Sequence, residues 1–354
     1  MAAVLAVDLG KTGCRAGLWL DPAGLCEGPG STDGADAPLA TRQLPGAPGL
    51  AAPDGAAQAE ALVRSVSAEL LAETGIDQLD ALCIGAAGAI AAPDAARALA
   101  ETLLDAIPTD QVAVTSDAVT AHAGALGTAT GVVLAAGTGA VALGVGEAGA
   151  FSVVDGWGPW LGDEGSGAWI GLAGLRAALR ARDGRGEPTT LSHEATELFG
   201  DLGRLPGVLE QGGNPARSAA SFAPAVARSA AAGDPVAVAI LRDAAAALAT
   251  TVATAARLTA PSGGSGARAD EEPVTVTVAV TGGLVHLGAP LLDPLHAALA
   301  RHRPRLRLQE ALGDPLHGAR LLARQADGPH EPLVTRLHRR APSAASTGGG
   351  TGHS

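Results

Sequence analysis

The sequence predicts an α/β fold in two lobes around a central cleft. Three observations carry that prediction. The chain has 354 residues, a length at which one hydrophobic core gives way to two. Short strand-like runs alternate with helix-like segments, which implies parallel crossovers. A glycine-bearing turn also opens a hairpin in each half, at Gly10-Lys11-Thr12-Gly13 and at Gly137-Thr138-Gly139.

Residues 4–7 are predicted to be a buried strand and residues 14–20 its hairpin partner, with a turn following at residues 21–24. The Gly-, Pro- and Ala-rich stretch 26–54 is expected to be extended and irregular. Asp54 is expected to cap a helix that runs to Thr74 and stops at Gly75. Strands at 82–86 and 111–115 flank a helix at 93–106, and another helix begins at Asp117. Residues 132–136, 141–145 and 151–154 read as a second meander, so the order hairpin, strand, helices occurs twice without a residue-level repeat.

A helical block is expected at 164–180, 189–199, 215–232 and 234–259, then a flexible connector at 262–266 and a strand at 274–280. The last predicted helix, 315–324, precedes a tail expected to be disordered. The lobes are expected at 1–116, completed by a helix at 314–326, and at 117–313, with the tail at 327–354.

Composition narrows the function. Hydrophobic residues make up 47% and charged ones 17%, with no uninterrupted apolar run of the ~18 residues a bilayer span needs, so a soluble chain with no membrane partner is expected. The N-terminus reaches Asp8 without the basic start or cleavage site of a signal peptide, so the cytoplasm is the expected location. Cys14, Cys26 and Cys83 are too scattered for a disulfide framework or a zinc site. A net charge of -12 argues against a nucleic-acid partner and leaves a small molecule.

Five places have the residue types for chemistry. Asp8 ends the first strand and delivers the chain into Gly10-Lys11-Thr12, where glycine lets the backbone approach phosphate, Lys11 and Thr12 donate, and Asp8 can hold the water shell of Mg²⁺. The GxxxxGK[ST] spacing is absent, and alone this would be an ordinary turn. Its counterpart Gly137-Thr138-Gly139 makes the pair read as two phosphate clips facing one another, while Gly282-Gly283 follows a strong strand and can let a nucleoside lie close. Lys11 is the only lysine in the chain.

Asp117, at a strand end, reads both as a helix cap and as a base that takes the proton of a sugar hydroxyl. His122, about 140° further round the helix, is read as packing. The segment Asp155 to Gly171 holds three of the four tryptophans among glycines and carboxylates, the residues that stack on sugar rings and accept from their hydroxyls.

Taken in order, these segments resemble the N-acetylglucosamine kinase group of the BadF-type ATPase family. The most specific signatures are residues 132–139, Gly156-Trp157-Gly158 and Gly162-Asp163-Glu164-Gly165-Ser166. The resemblance implies the two-lobed actin-like ATPase (ribonuclease H-like) fold, ATP and Mg²⁺ as cofactors, and a homodimer. It also implies phosphorylation of an amino sugar of the glucosamine or N-acetylglucosamine type at its C6 hydroxyl.

Carried over by residue, Asp8 to Thr12 would be the first phosphate motif, Gly137 to Gly139 the second, and Thr281-Gly282-Gly283 the adenosine motif. Asp117 would be the general base, and Gly156, Trp157 and Asp163 would meet the sugar. Ala140-Val141 stands where vertebrate relatives carry an Asn, which leaves a muramic-acid derivative or another hexosamine open as acceptor. An activator ATPase of the 2-hydroxyacyl-CoA dehydratase type would need closely placed cysteines for a cluster. A sugar-sensing regulator would need a DNA-binding domain.

Overall fold

The computed structural model describes residues 1–21, 37–211, 213–259, 275–302 and 305–339. The turn expected after Asp21, Cys26, the connector at 262–266 and the tail beyond residue 339 lie outside them.

Strand β1 (Ala2–Leu9) is apolar on both faces. Ala3, Leu5, Val7 and Leu9 enter one core, Val4 and Ala6 another, and Asp8 ends the second row. A strand buried on both sides belongs inside a sheet. Accordingly β1 pairs antiparallel with β2 (Gly13–Asp21), which carries β3 (Ala40–Pro45), and parallel with β4 (Ala81–Ala86), which carries β5 (Gln111–Thr115). Helices α1 (Gly55–Thr74) and α2 (Pro93–Ala106) cover the first face. The other takes α3 (Asp117–Leu126) and, from far along the chain, α11 (Pro315–Arg324).

The second half repeats the plan. Strands β6 (Gly131–Ala136), β7 (Ala140–Val145) and β8 (Phe151–Asp155) form a meander, with β9 (Thr275–Thr281) and β10 (Arg305–Leu308) added parallel to β6. Apart from one extra edge strand, both sheets have the order third, second, first, fourth, fifth. On β6, Val132, Leu134 and Ala136 face a helical core, while Val133 packs in a cluster with Ala121, Ala125 and Leu126 of α3. Helix α3 therefore lies between the sheets, with α11 packed beside it on the first.

The helical core contains α4 (Gly167–Arg182), α5 (Leu191–Phe199), α6 (Leu205–Gln211), α7 (Pro215–Ala220), α8 (Ala223–Ala231), α9 (Pro235–Thr259) and α10 (Ala289–Leu299). By length and composition α9 could cross a bilayer, with a mean hydropathy of 1.6. Here Leu241, Leu248 and Val252 are buried in the core, and the helix packs on β6, β7 and β8.

Four expectations need correction. Strand β3 lies inside the stretch expected to be irregular, because pairing with β2 supplies the order that local composition does not. Asp54 does precede α1, but in a left-handed conformation with no side-chain cap. The helix expected over 215–232 is two helices, α7 and α8, broken at Ser221 and Phe222, where Phe222 turns into the core. The described part of the expected tail, residues 327–339, is ordered. Strand β11 (Thr335–His338) pairs antiparallel with β5, Thr115 Oγ1 donates to the Leu333 carbonyl at 2.7 Å, and Arg339 bonds carbonyls at the end of α2.

Candidate active site

The register across the first sheet sets the site. Asp8 is opposite Gly85, and Gly85 is opposite Thr115. Strands ~4.8 Å apart put Asp8 and Thr115 roughly 10 Å from one another, with Asp117 two residues beyond. Gly85 has no room for a Cβ, because Thr120 of α3 fills that space. The carboxylate of Asp8 takes Arg15 at 2.9 and 3.3 Å on Oδ2, leaving Oδ1 without a protein donor among the described residues. Arg15 also reaches Asp314 at 2.6 Å, and Asp314 caps α11. Burial raises the pKa of Asp8, against the pull of Arg15.

The first turn is closed by Gly10 N–H donating to the Gly13 carbonyl at 2.9 Å. Gly46 packs so tightly on this turn that a Cβ would overlap the Gly10 carbonyl, and a Cβ on Gly49 would lie 3.5 Å from Lys11 Cε. Residues 46–50 are thus the floor under Lys11. The run Pro45-Gly46-Ala47-Pro48-Gly49 was the available sequence signal for that floor.

Asp117 is not the cap of α3. Ser116 is, its Oγ accepting from Val119 N–H at 3.3 Å. Asp117 occupies the first helical position, and its Oδ1 accepts from Ala118 N–H at 3.0 Å. Burial first, then the charge of Asp8, push its carboxyl up to about 6, while Lys11 pulls the other way. His122 is fully buried, bonded to His330 at 2.9 Å and to the Gly131 carbonyl at 3.2 Å, as a packing residue would be.

In the second half, Gly137 N–H donates to the Gly139 carbonyl at 2.8 Å, and the first turn of α4 is tied to this loop. Gly167 and Ala168 N–H donate to the carbonyls of Gly137 and Thr138 at 2.8 and 3.1 Å. Gly282, at φ 97°, lies against Ala136, where a Cβ would overlap the carbonyl, so only glycine suits the position. Ala135 is opposite Thr281 in the sheet, which places Gly282-Gly283 beside Gly137. Among the described residues, the N–H groups of Lys11, Thr12, Thr138 and Gly139 donate to no protein acceptor. Unpaired N–H groups in successive positions make a cradle for anions, so both turns fit a polyphosphate.

The loop after β8 is shaped by a residue that sequence reasoning gave no role. The carboxylate of Asp155 accepts from Asp163 N–H at 2.7 Å and Glu164 N–H at 2.8 Å. Asp163 is thereby held at φ 53° with 7% exposure, its Oδ1 accepting from Gly158 N–H at 3.2 Å. A Cβ on Gly139 would lie 2.7 Å from Asp163 Oδ2, so the glycine of the second turn makes room for this carboxylate. Burial raises the pKa of Asp163, and the charge of Lys11 lowers it. The charge of Lys11, in the first turn, thus bears on Asp117 at the start of α3 and on Asp163 in the second half.

Gly156 packs on Val141, whereas Trp157 and Trp160 are 76% and 75% exposed beside it. Trp169 packs on the second core. Among the described residues there is no cluster of three metal-ligating side chains, so a divalent ion here would bind through phosphate and water, with Asp8 Oδ1 the fitting protein group.

The model of the BadF/BadG/BcrA/BcrD ATPase family matches residues 41–306. The chain belongs to this family. An N-acetylmuramic acid/N-acetylglucosamine kinase of Clostridium acetobutylicum is 32% identical to this family member over 144 residues, 39% of the chain and 46% of the relative. An N-acetyl-D-glucosamine kinase of Dictyostelium discoideum is 42% identical over 83 residues, 23% of the chain and 26% of the relative. The chain thus spans about half the length of the first of these curated relatives and a quarter of the second. A crystal structure of a candidate N-acetylglucosamine kinase from Chromobacterium violaceum superposes with a TM-score of 0.66 at 27% identity, covering 92% of this chain and 99% of that one. The fold is that of the actin-like ATPases.

Proposed function

We propose that the protein is an ATP-dependent kinase that phosphorylates an amino sugar of the glucosamine or N-acetylglucosamine type at its C6 hydroxyl, in the cytoplasm and with Mg²⁺. The observation that carries this reading is the pair of turns, one per half, each with two N–H groups unpaired among the described residues, set beside the carboxyl of Asp117. The similarity to kinases of N-acetylated amino sugars supports the acceptor class.

Lys11, Thr12, Thr138 and Gly139 would hold the phosphates of ATP, with Gly282-Gly283 beneath the nucleoside. Mg²⁺, when bound, would neutralise phosphate charge, its water shell resting on Asp8. Asp163 and Trp157 would orient the sugar so that its O6–H points at Asp117. Asp117 takes that proton as O6 forms its bond to the terminal phosphorus and the bond to the bridging oxygen breaks, releasing ADP. A carboxyl at about 6 is ionised at neutral pH yet basic enough for the transfer. Approach of the two halves would exclude water and limit hydrolysis.

The test is ADP release measured with glucosamine, N-acetylglucosamine, N-acetylmuramic acid, N-acetylmannosamine and glucose, using Asp117→Asn as the blank. One hexosamine should stimulate release well above the blank. Release that no sugar stimulates, from a protein that binds ATP, would end this reading.

A further inference from the structure

Helix α7 has a cation on the phosphate side of the cleft that the nucleotide motifs do not include. Asn214 caps this helix, accepting from Arg217 N–H at 3.0 Å, and Pro215 sets its first turn. Its position is fixed by glycines of α4. A Cβ on Gly171 would overlap the Ala219 carbonyl, and one on Gly167 would lie 3.4 Å from the Ala220 Cβ and 2.9 Å from the Gly137 carbonyl. Helix α7, the first turn of α4 and the Gly137-Thr138-Gly139 loop therefore form one packed unit.

From that unit Arg217 Nη1 reaches the Thr12 carbonyl, 205 residues away in sequence, at 3.5 Å. Among the described residues it is the one hydrogen bond between residues 140–259 and residues 1–116.

Charge gives this contact its meaning. Asp8, Asp117 and Asp163 bring three carboxylates to the cleft, and Arg15 is already committed to Asp8 and Asp314. Lys11 and Arg217 are the cations at the first turn with no carboxylate partner among the described residues. A neutral carbonyl at the limit of hydrogen-bond length is a weak partner for an exposed guanidinium. A phosphate oxygen beside it is a much stronger one, because a charge-assisted, two-pronged contact matches the guanidinium fork.

We infer that Arg217 is a nucleotide-phosphate ligand delivered across the cleft, exchanging the Thr12 carbonyl for the polyphosphate of a nucleoside di- or triphosphate held between the two glycine turns. This rests on the nucleotide site proposed above. It adds to it a residue from the helical block, outside the three glycine motifs.

The test is equilibrium titration of ATP, ADP and adenosine against wild type, Arg217→Gln and Arg217→Lys, with no sugar present. Arg217→Gln should weaken ATP and ADP roughly 10- to 100-fold, the range one charge-assisted hydrogen bond converts to, and leave adenosine unchanged. Arg217→Lys should fall between, and because the side chain is exposed both variants should melt with wild type. Wild-type affinity for ATP and ADP in Arg217→Gln overturns the inference alone. So does an equal loss for adenosine, which would mark Arg217 as a strut between the halves. A wild-type protein that binds no ATP overturns both this inference and the nucleotide site beneath it.

Discussion

Asp117 shows how far one residue can be read. Its place at a strand end identifies it as either a cap or a base, and both are local readings. The structure separates them, since Ser116 does the capping and Asp117 is left with a carboxyl at about 6. Asp117→Asn should retain ATP and sugar binding and lose turnover by roughly 100- to 10,000-fold, measured as steady-state kcat. The pH profile follows from the sign of the shift. Burial and the charge of Asp8 disfavour the ionised form, so the base is lost as pH falls below about 6. In wild type, kcat/KM for the sugar should level off above pH 6 and decline about tenfold per unit below it. A profile flat from pH 5 to 7 would remove Asp117 from the base role.

At the scale of elements, local signals located α2 and α11 to the residue, because Pro93 and Asp314-Pro315 mark their starts in sequence. Strand β3 and the path of the loop after β8 gave no such signal. Asp155 works through residues eight and nine positions further on, a partnership no periodicity predicts. Asp155→Ala should release the N–H groups of Asp163 and Glu164 and raise sugar KM while the Kd for ATP holds. An unchanged sugar KM would show that the loop keeps its shape without Asp155. The crossing of α3 and α11 is as demanding, since a Cβ on Gly318 would overlap the Thr120 carbonyl, and one on Gly124 the Asp314 carbonyl. Gly318→Ala should cost about 1–3 kcal/mol or more in urea unfolding, as overpacking does, because backbone cannot yield as a side chain end can. A variant as stable as wild type would mean the helices can separate freely.

On the scale of the whole molecule, the segment after α11 ties distant parts of the protein together. His330 pairs with His122 inside the protein, and β11 edges the first sheet. His122 Nε2 donates to the Gly131 carbonyl, so in the neutral pair His330 Nε2–H donates to His122 Nδ1. Burial lowers both pKa values, to about 3 for His122 and about 4 for His330. Below pH 6.5 the unfolded chain therefore binds more protons than the folded one, and stability falls as pH drops from 6.5 towards about 4. Melting temperature followed over that range should decline. In the His122→Phe/His330→Leu protein the decline should be shallower, and an identical slope would exclude the pair as its source.

The sequence by itself determined the two-fold repetition of hairpin, strand and helix, the three glycine turns, and the strand-end carboxylates Asp8 and Asp117. All of these rest on local preferences: period, turn chemistry and what may end a strand. Only the tertiary structure decided that Asp155 sets the pose of Asp163, that Gly46 underlies Lys11, and that Arg217 reaches Thr12. Each joins groups brought together by packing, and the burial that selects such partners is a property of the folded core, not of the chain near them.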